Sequence, residues 1–95
     1  MTTGPHHVLF YDYVADVLAR RAPHREAHLA RIGEWVADGG LLMAGALGDP
    51  PSGALFVFGD VPLADVERFA DGDPYLAAGL VGARRIVPWT VVAAA

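Results

Sequence analysis

The sequence predicts a single α+β domain with the element order β-α-β-β-α-β, an antiparallel sheet carrying its helices on one face. Three observations predict it. Runs of β-branched and aromatic residues at strand length alternate with stretches of helical apolar spacing; a proline- and glycine-rich turn divides the two middle runs; and 95 residues with 54% hydrophobic content suffice for one core only. The core is expected over about residues 8–92, with residues 1–6 a flexible start.

Val8 to Tyr13 reads VLFYDY, a composition that suits a first strand, with Asp12 interrupting it near the end. Between Ala15 and Gly39 the spacing turns helical, placing Leu18, Ala22, Leu29, Ile32 and Val36 on one side at about 100° per residue. Pro23 lacks an amide hydrogen and clashes with a preceding turn, so it belongs in the first turn of the main helix. That helix is expected from Pro23 to Ala37, with Ala15 to Arg21 a separate turn or loop.

Gly39-Gly40 offers the positive φ that ends a helix, and Leu41 to Leu47 follows as a second strand. The Gly48-to-Gly53 turn then leads into a third, Ala54 to Gly59, predicting an antiparallel hairpin. Asp60-Val61-Pro62 opens a short helix with Val66, Phe69 and Ala70 on its apolar side, ending by Gly72. Asp73-Pro74-Tyr75 reads as another helix start, Asp capping and Pro at the first helical position, closed by Gly79. Leu80 to Val92 completes the order as a long strand, in which Pro88 predicts an edge or a bulge.

This order is the ferredoxin-like arrangement, which leaves one sheet face open. The strands carry enough apolar side chains that this face needs a cover, and the sheet of a second copy provides one. A homodimer or higher homo-oligomer is therefore expected.

The formal net charge is −4, and the seven basic residues, all arginine, form no stripe able to neutralise phosphates, so nucleic acid is excluded as a partner. The absence of cysteine removes thiol chemistry and Cys-based metal sites and is compatible with a reducing compartment. No apolar run approaches the roughly 20 residues of a membrane span, and Met1 to Pro5 lacks the features of a signal peptide, so a cytoplasmic address without membrane association is expected. Neither a Walker-type nor a dinucleotide-binding glycine pattern occurs. His6-His7 and the His24/His28 pair lack a third ligand and an H-E-x-x-H pattern, so no metal is expected. No cofactor is expected either.

His28 is the best candidate for chemistry. It lies about 80° from the middle of the expected apolar stripe, beside His24, Arg25, Ile32 and Trp35, where core gives way to solvent. An imidazole there can exchange a proton with a ligand, or can merely hydrogen-bond a carbonyl. Arg25, one turn earlier, suits a substrate carboxylate or phenolate, or an ordinary ion pair with Glu26 or Asp73. Tyr75 either lines a cleft with its hydroxyl or anchors its turn; Trp35 and Trp89 read as packing.

Several short motifs occur in order: Arg25-Glu26-Ala27-His28-Leu29, Gly40-Leu41-Leu42-Met43-Ala44-Gly45, Asp73-Pro74-Tyr75 with Ala78-Gly79-Leu80, and Pro88-Trp89. Together, from about Val8 to Val92, they resemble the YciI-like (YCII-related) family of the dimeric α/β-barrel superfamily. The resemblance implies a ferredoxin-like protomer whose sheet packs on a partner's, with a cleft in each subunit. It also implies that His28 and Asp73 face one another as an acid/base dyad, although capping alone accounts for an Asp at position 73.

Activities within the superfamily include dehydrochlorination of chlorinated hydroxyquinols, lactone isomerisation and haem-dependent reactions, so the fold constrains chemistry weakly. The function expected is that of a cofactor-independent lyase or isomerase acting on a small cyclic or aromatic molecule, with His28 and Asp73 catalytic and Arg25 and Tyr75 binding substrate. The competing expectation is a non-catalytic ligand-binding or oligomerisation module.

Overall fold

The computed structural model describes residues 1–95. Its first strand, β1, runs from Gly4 to Tyr13 and lies inside the sheet, hydrogen-bonded on both sides. The short helix α1 (Val17–Arg20) and the main helix α2 (Ala22–Ala37) follow; then come β2 (Leu41–Leu47), β3 (Gly53–Phe58), α3 (Leu63–Asp71), the single turn α4 (Pro74–Ala77) and β4 (Val81–Val91). The strand order is β2-β3-β1-β4 with every neighbouring pair antiparallel, which makes this a ferredoxin-like α+β fold.

Alternation along the two central strands sorts their side chains. Leu9 and Tyr11 on β1, opposite Phe56 and Ala54 on β3, point toward the helices and are buried. They join Leu41, Phe58 and the α3 residues Val66, Phe69 and Ala70 in the main core. Val8, Phe10, Leu55 and Val57 point the other way, where with Val87, Pro88 and Trp89 they line an apolar depression on the open face. No side chain of Asp or Glu lines that depression, and Arg85 lies with its guanidinium 4.2 Å from the centroid of the Phe10 ring. No helix is long and apolar enough to cross a membrane.

Three sequence expectations are corrected. The start of the chain is not loose up to residue 6: β1 begins at Gly4, and the pairing of Gly4, Pro5 and His6 with Val91, Thr90 and Trp89 holds it in place. The third strand is set one residue earlier than expected, at Gly53. Pro88 sits on an edge strand, which meets the expectation of an edge or a bulge; the irregularities in register fall at Asp12/Tyr13 and Leu41/Met43.

The third correction concerns the site. Leu18, Leu29 and Val36, assigned to the core stripe, are 47%, 48% and 45% exposed, whereas His28 is 5% exposed and Ile32 and Trp35 pack against the core. The inward face of α2 is thus turned by roughly 80° from the expected one. Trp35 drives this rotation by packing edge-on against Phe58 and Phe69. A hydrogen bond to Asp73 offsets the cost of burying the imidazole.

Candidate active site

Asp73 is the residue around which the site is built. Its backbone is extended at the N-cap of α4, and its Oδ1 accepts the amide hydrogen of Tyr75 at 3.0 Å. The same oxygen lies 2.8 Å from Nδ1 of His28, and Oδ2 accepts the Tyr11 hydroxyl at 2.8 Å. Capping and the imidazole contact therefore share one oxygen rather than dividing the carboxylate, and a tyrosine from the central strand takes the other. With a side-chain exposure of 0%, the carboxylate exchanges water for three protein donors.

This arrangement fixes the imidazole. A carboxylate already accepting from an amide and a phenol accepts from His28 as well, which assigns a hydrogen to Nδ1. Nε2 has no partner within the chain and is not among its fully buried unpaired atoms, so it is the ring nitrogen available to the cleft that His28 lines. The Tyr75 ring lies flat on the imidazole, centroids 3.7 Å apart and planes 6° apart, and Phe56 meets it edge-on. Three contacts of different kinds thus hold one orientation.

The cleft has a volume of about 190 Å³ between α2 and the β2–β3 hairpin. Arg21, Arg25, Tyr13 and Tyr75 supply its polar groups beside His28, and Leu29, Ile32 and Pro51 are among its apolar walls. Of the residues singled out from sequence, His28, Asp73 and Tyr75 come into direct contact, while Arg25 stands exposed on the rim and bonds neither Glu26 nor Asp73. Burial places Tyr75 mainly as a stacking partner: the residue is 2% exposed.

Sequence reasoning missed Tyr11 and Tyr13. Burial, followed by the charge of Asp73 and its hydrogen bond, raises the Tyr11 phenol far above its ordinary value, so it stays a donor. Tyr13 is pushed up to about 12, chiefly by burial, then by Tyr75 and Asp73, while Arg21 and Arg25 pull it down. The available signal was alternation: Leu9, Tyr11 and Tyr13 share one face of β1, the face that carries the core.

Two further histidines, on β1, lie apart from the cleft. His6 and His7 are successive strand residues on opposite faces of the sheet, and nowhere do three or more His, Asp or Glu side chains cluster as metal ligands.

A family model of the YCII-related domain matches residues 6–90. Among solved structures, the chain resembles 5-chloro-2-hydroxyhydroquinone dehydrochlorinase from Burkholderia phenoliruptrix AC1100, solved with 2,5-dihydroxybenzoquinone: TM-score 0.75, 20% identity, with 90% of this chain and 93% of that one covered. It also resembles protein Atu4242 from Agrobacterium tumefaciens, with TM-score 0.56, 11% identity and coverage of 90% and 91%. At these identities the likeness establishes the fold. No curated protein sequence matches the chain.

Proposed function

We propose a proton-transfer activity for this chain, which belongs to the YCII-related domain family. The protein is a small-molecule enzyme in which His28 is the acid/base and Asp73 its positioning partner. The observation that carries this reading is the 2.8 Å contact between Nδ1 of His28 and a carboxylate with no side-chain exposure, with Nε2 left to the cleft. A buried carboxylate in that position holds the imidazole in one tautomer and stabilises the imidazolium formed when Nε2 takes a proton.

The substrate class is a small cyclic or aromatic molecule, held by Arg25 at the rim and by contact with Tyr75. In an elimination, Nε2 removes a proton from the ring system, the released electron pair forms the new π bond, and a leaving group departs with its own pair. In an isomerisation, the imidazolium returns the proton at a different atom. Neither requires an external oxidant or nucleophile. The dehydrochlorinase of similar fold, whose structure holds a dihydroxybenzoquinone, supports this reaction class.

A second copy of the chain completes the proposed assembly by covering the open sheet face. The support is the apolar surface formed there by Val8, Phe10, Leu55, Val57, Val87 and Trp89, with Trp89 43% exposed.

Incubation with 5-chloro-2-hydroxyhydroquinone and with simple lactones, followed by proton NMR, tests the activity. Consumption by the parent and none by His28→Gln is the expected result. Binding without consumption would leave a ligand-binding module in its place. For the dyad itself, the His28 ring nitrogen-15 signals should report an Nδ1–H tautomer that is lost in Asp73→Asn, and unchanged signals would remove Asp73 from the reading.

A further inference from the structure

Of the seven arginines of this net-negative chain, four are paired or hydrogen-bonded, Arg85 lies over the Phe10 ring, and two have no partner. Arg20, Arg68 and Arg84 pair with Asp16, Asp65 and Asp71, and Arg31 donates to the carbonyls of Arg68 and Phe69. Arg21 and Arg25 make no ion pair and no hydrogen bond, and both line the cleft of His28. No Asp or Glu lines that cleft with them. They stand four residues apart, at the N-cap and first turns of α2, where the first turn contains no acidic residue.

Two like charges one turn apart repel, and three other arginines, Arg20, Arg68 and Arg84, each find an acid. A shared anion relieves that repulsion, and guanidinium groups suit the two oxygens of a carboxylate or of an ionised enol. Beside them the wall is apolar, formed by Leu29, Ile32 and Pro51, and the cleft of about 190 Å³ limits the ligand to a small ring.

We infer that the cleft selects a small planar organic acid, its ring against Leu29, Ile32 and Pro51 and its anionic group held jointly by Arg21 and Arg25. This deepens the reading of the His28 site and rests on it for the reaction, though not for the binding. Arg21 becomes a specificity-determining residue, and the negative charge becomes a requirement of recognition. A neutral ring of the same shape offers the two guanidinium groups no counter-charge.

Matched probes test this: benzoate and salicylate against benzamide and salicylamide, titrated into the full-length nitrogen-15-labelled protein. The acids should shift the amide signals of Ala44, Ala46 and Tyr75 and bind at least about tenfold more tightly than the amides, the loss expected for one charge-assisted contact. Arg21→Gln and Arg25→Gln should each weaken the acids by about tenfold and leave the amides unchanged, and the double variant should erase the preference. Arg25→Lys, which keeps the charge, should retain part of it. Equal affinity for acids and amides, no binding of either acid, or a preference that survives the double substitution overturns the inference. His28→Gln should keep the preference while losing proton transfer, so a failure of the chemistry and a failure of the recognition are separately visible.

Discussion

Tyr11 and Asp73, 62 positions apart in the chain, share a buried 2.8 Å hydrogen bond that ties the central strand of the sheet to the cap of α4. Through it, the residue that orients His28 is itself held from the core. The site is therefore braced from two sides, by strand β1 and by the turn it caps.

Tyr11→Phe keeps the ring and its edge-on contact with Phe56 but removes the donor to Oδ2. A buried carboxylate oxygen left without its partner costs about 1–3 kcal/mol, read as a lower urea midpoint with an unchanged slope. The His28 ring tautomer should persist, because Oδ1 is untouched. Loss of that tautomer in Tyr11→Phe would mean that the phenol, not the cap, sets the carboxylate's position.

Alkaline pH should destabilise the fold through the same phenols. Tyr13 is raised from 10.0 to about 12 in the folded chain, and Tyr11 rises further. Below pH 10.0 both states hold these protons and the contribution is constant. Above it the unfolded chain releases them first, so the unfolded state binds fewer protons and stability falls; the Tyr13 share of the fall ends as it ionises in the fold near pH 12, and the Tyr11 share continues beyond. Urea midpoints measured below and above pH 10.0 should show the decline, and Tyr13→Phe should make it shallower, leaving the Tyr11 share.

Gly53→Ala should damage the same region by a different route. A Cβ at Gly53 would collide with the backbone carbonyl of Tyr11, which cannot swing aside as a side chain can. Parting β3 from β1 at this point is expected to cost about 1–3 kcal/mol, measurable as a depressed thermal midpoint. An alanine variant as stable as the parent would show that the strand ends are softer than their register indicates.

Leu55→Arg places a charge in the middle of the open sheet face, opposite Phe10. If a second copy covers that face, light scattering after size exclusion should give half the parent mass, with the circular dichroism spectrum retained. A parent that already runs at the mass of one chain removes the proposed assembly.

The order of elements was legible because it rests on local signals: Gly39 does take φ +84° after α2, and Asp73 does cap a turn that begins with Pro74. The facing of α2 was not. Leu29 and Val36 were weighted by hydropathy and His28 by polarity, whereas the observed facing depends on Trp35 meeting two phenylalanines and on an acid far along the chain accepting from the imidazole. Such partners are set by tertiary packing, and periodicity within one helix carries no record of them. The family motif named His28 and Asp73, and the structure brings those two together. Tyr11 remained out of sight because a tyrosine on a buried strand face reads as bulk until its hydroxyl is given a partner.

The Asp73 oxygen that meets His28 is also the one that receives the Tyr75 amide hydrogen. One oxygen thus serves both the cap of α4 and the imidazole. The hydrogen-exchange rate of that single amide reports how often the cap beside His28 opens, and it can be measured with no ligand in hand.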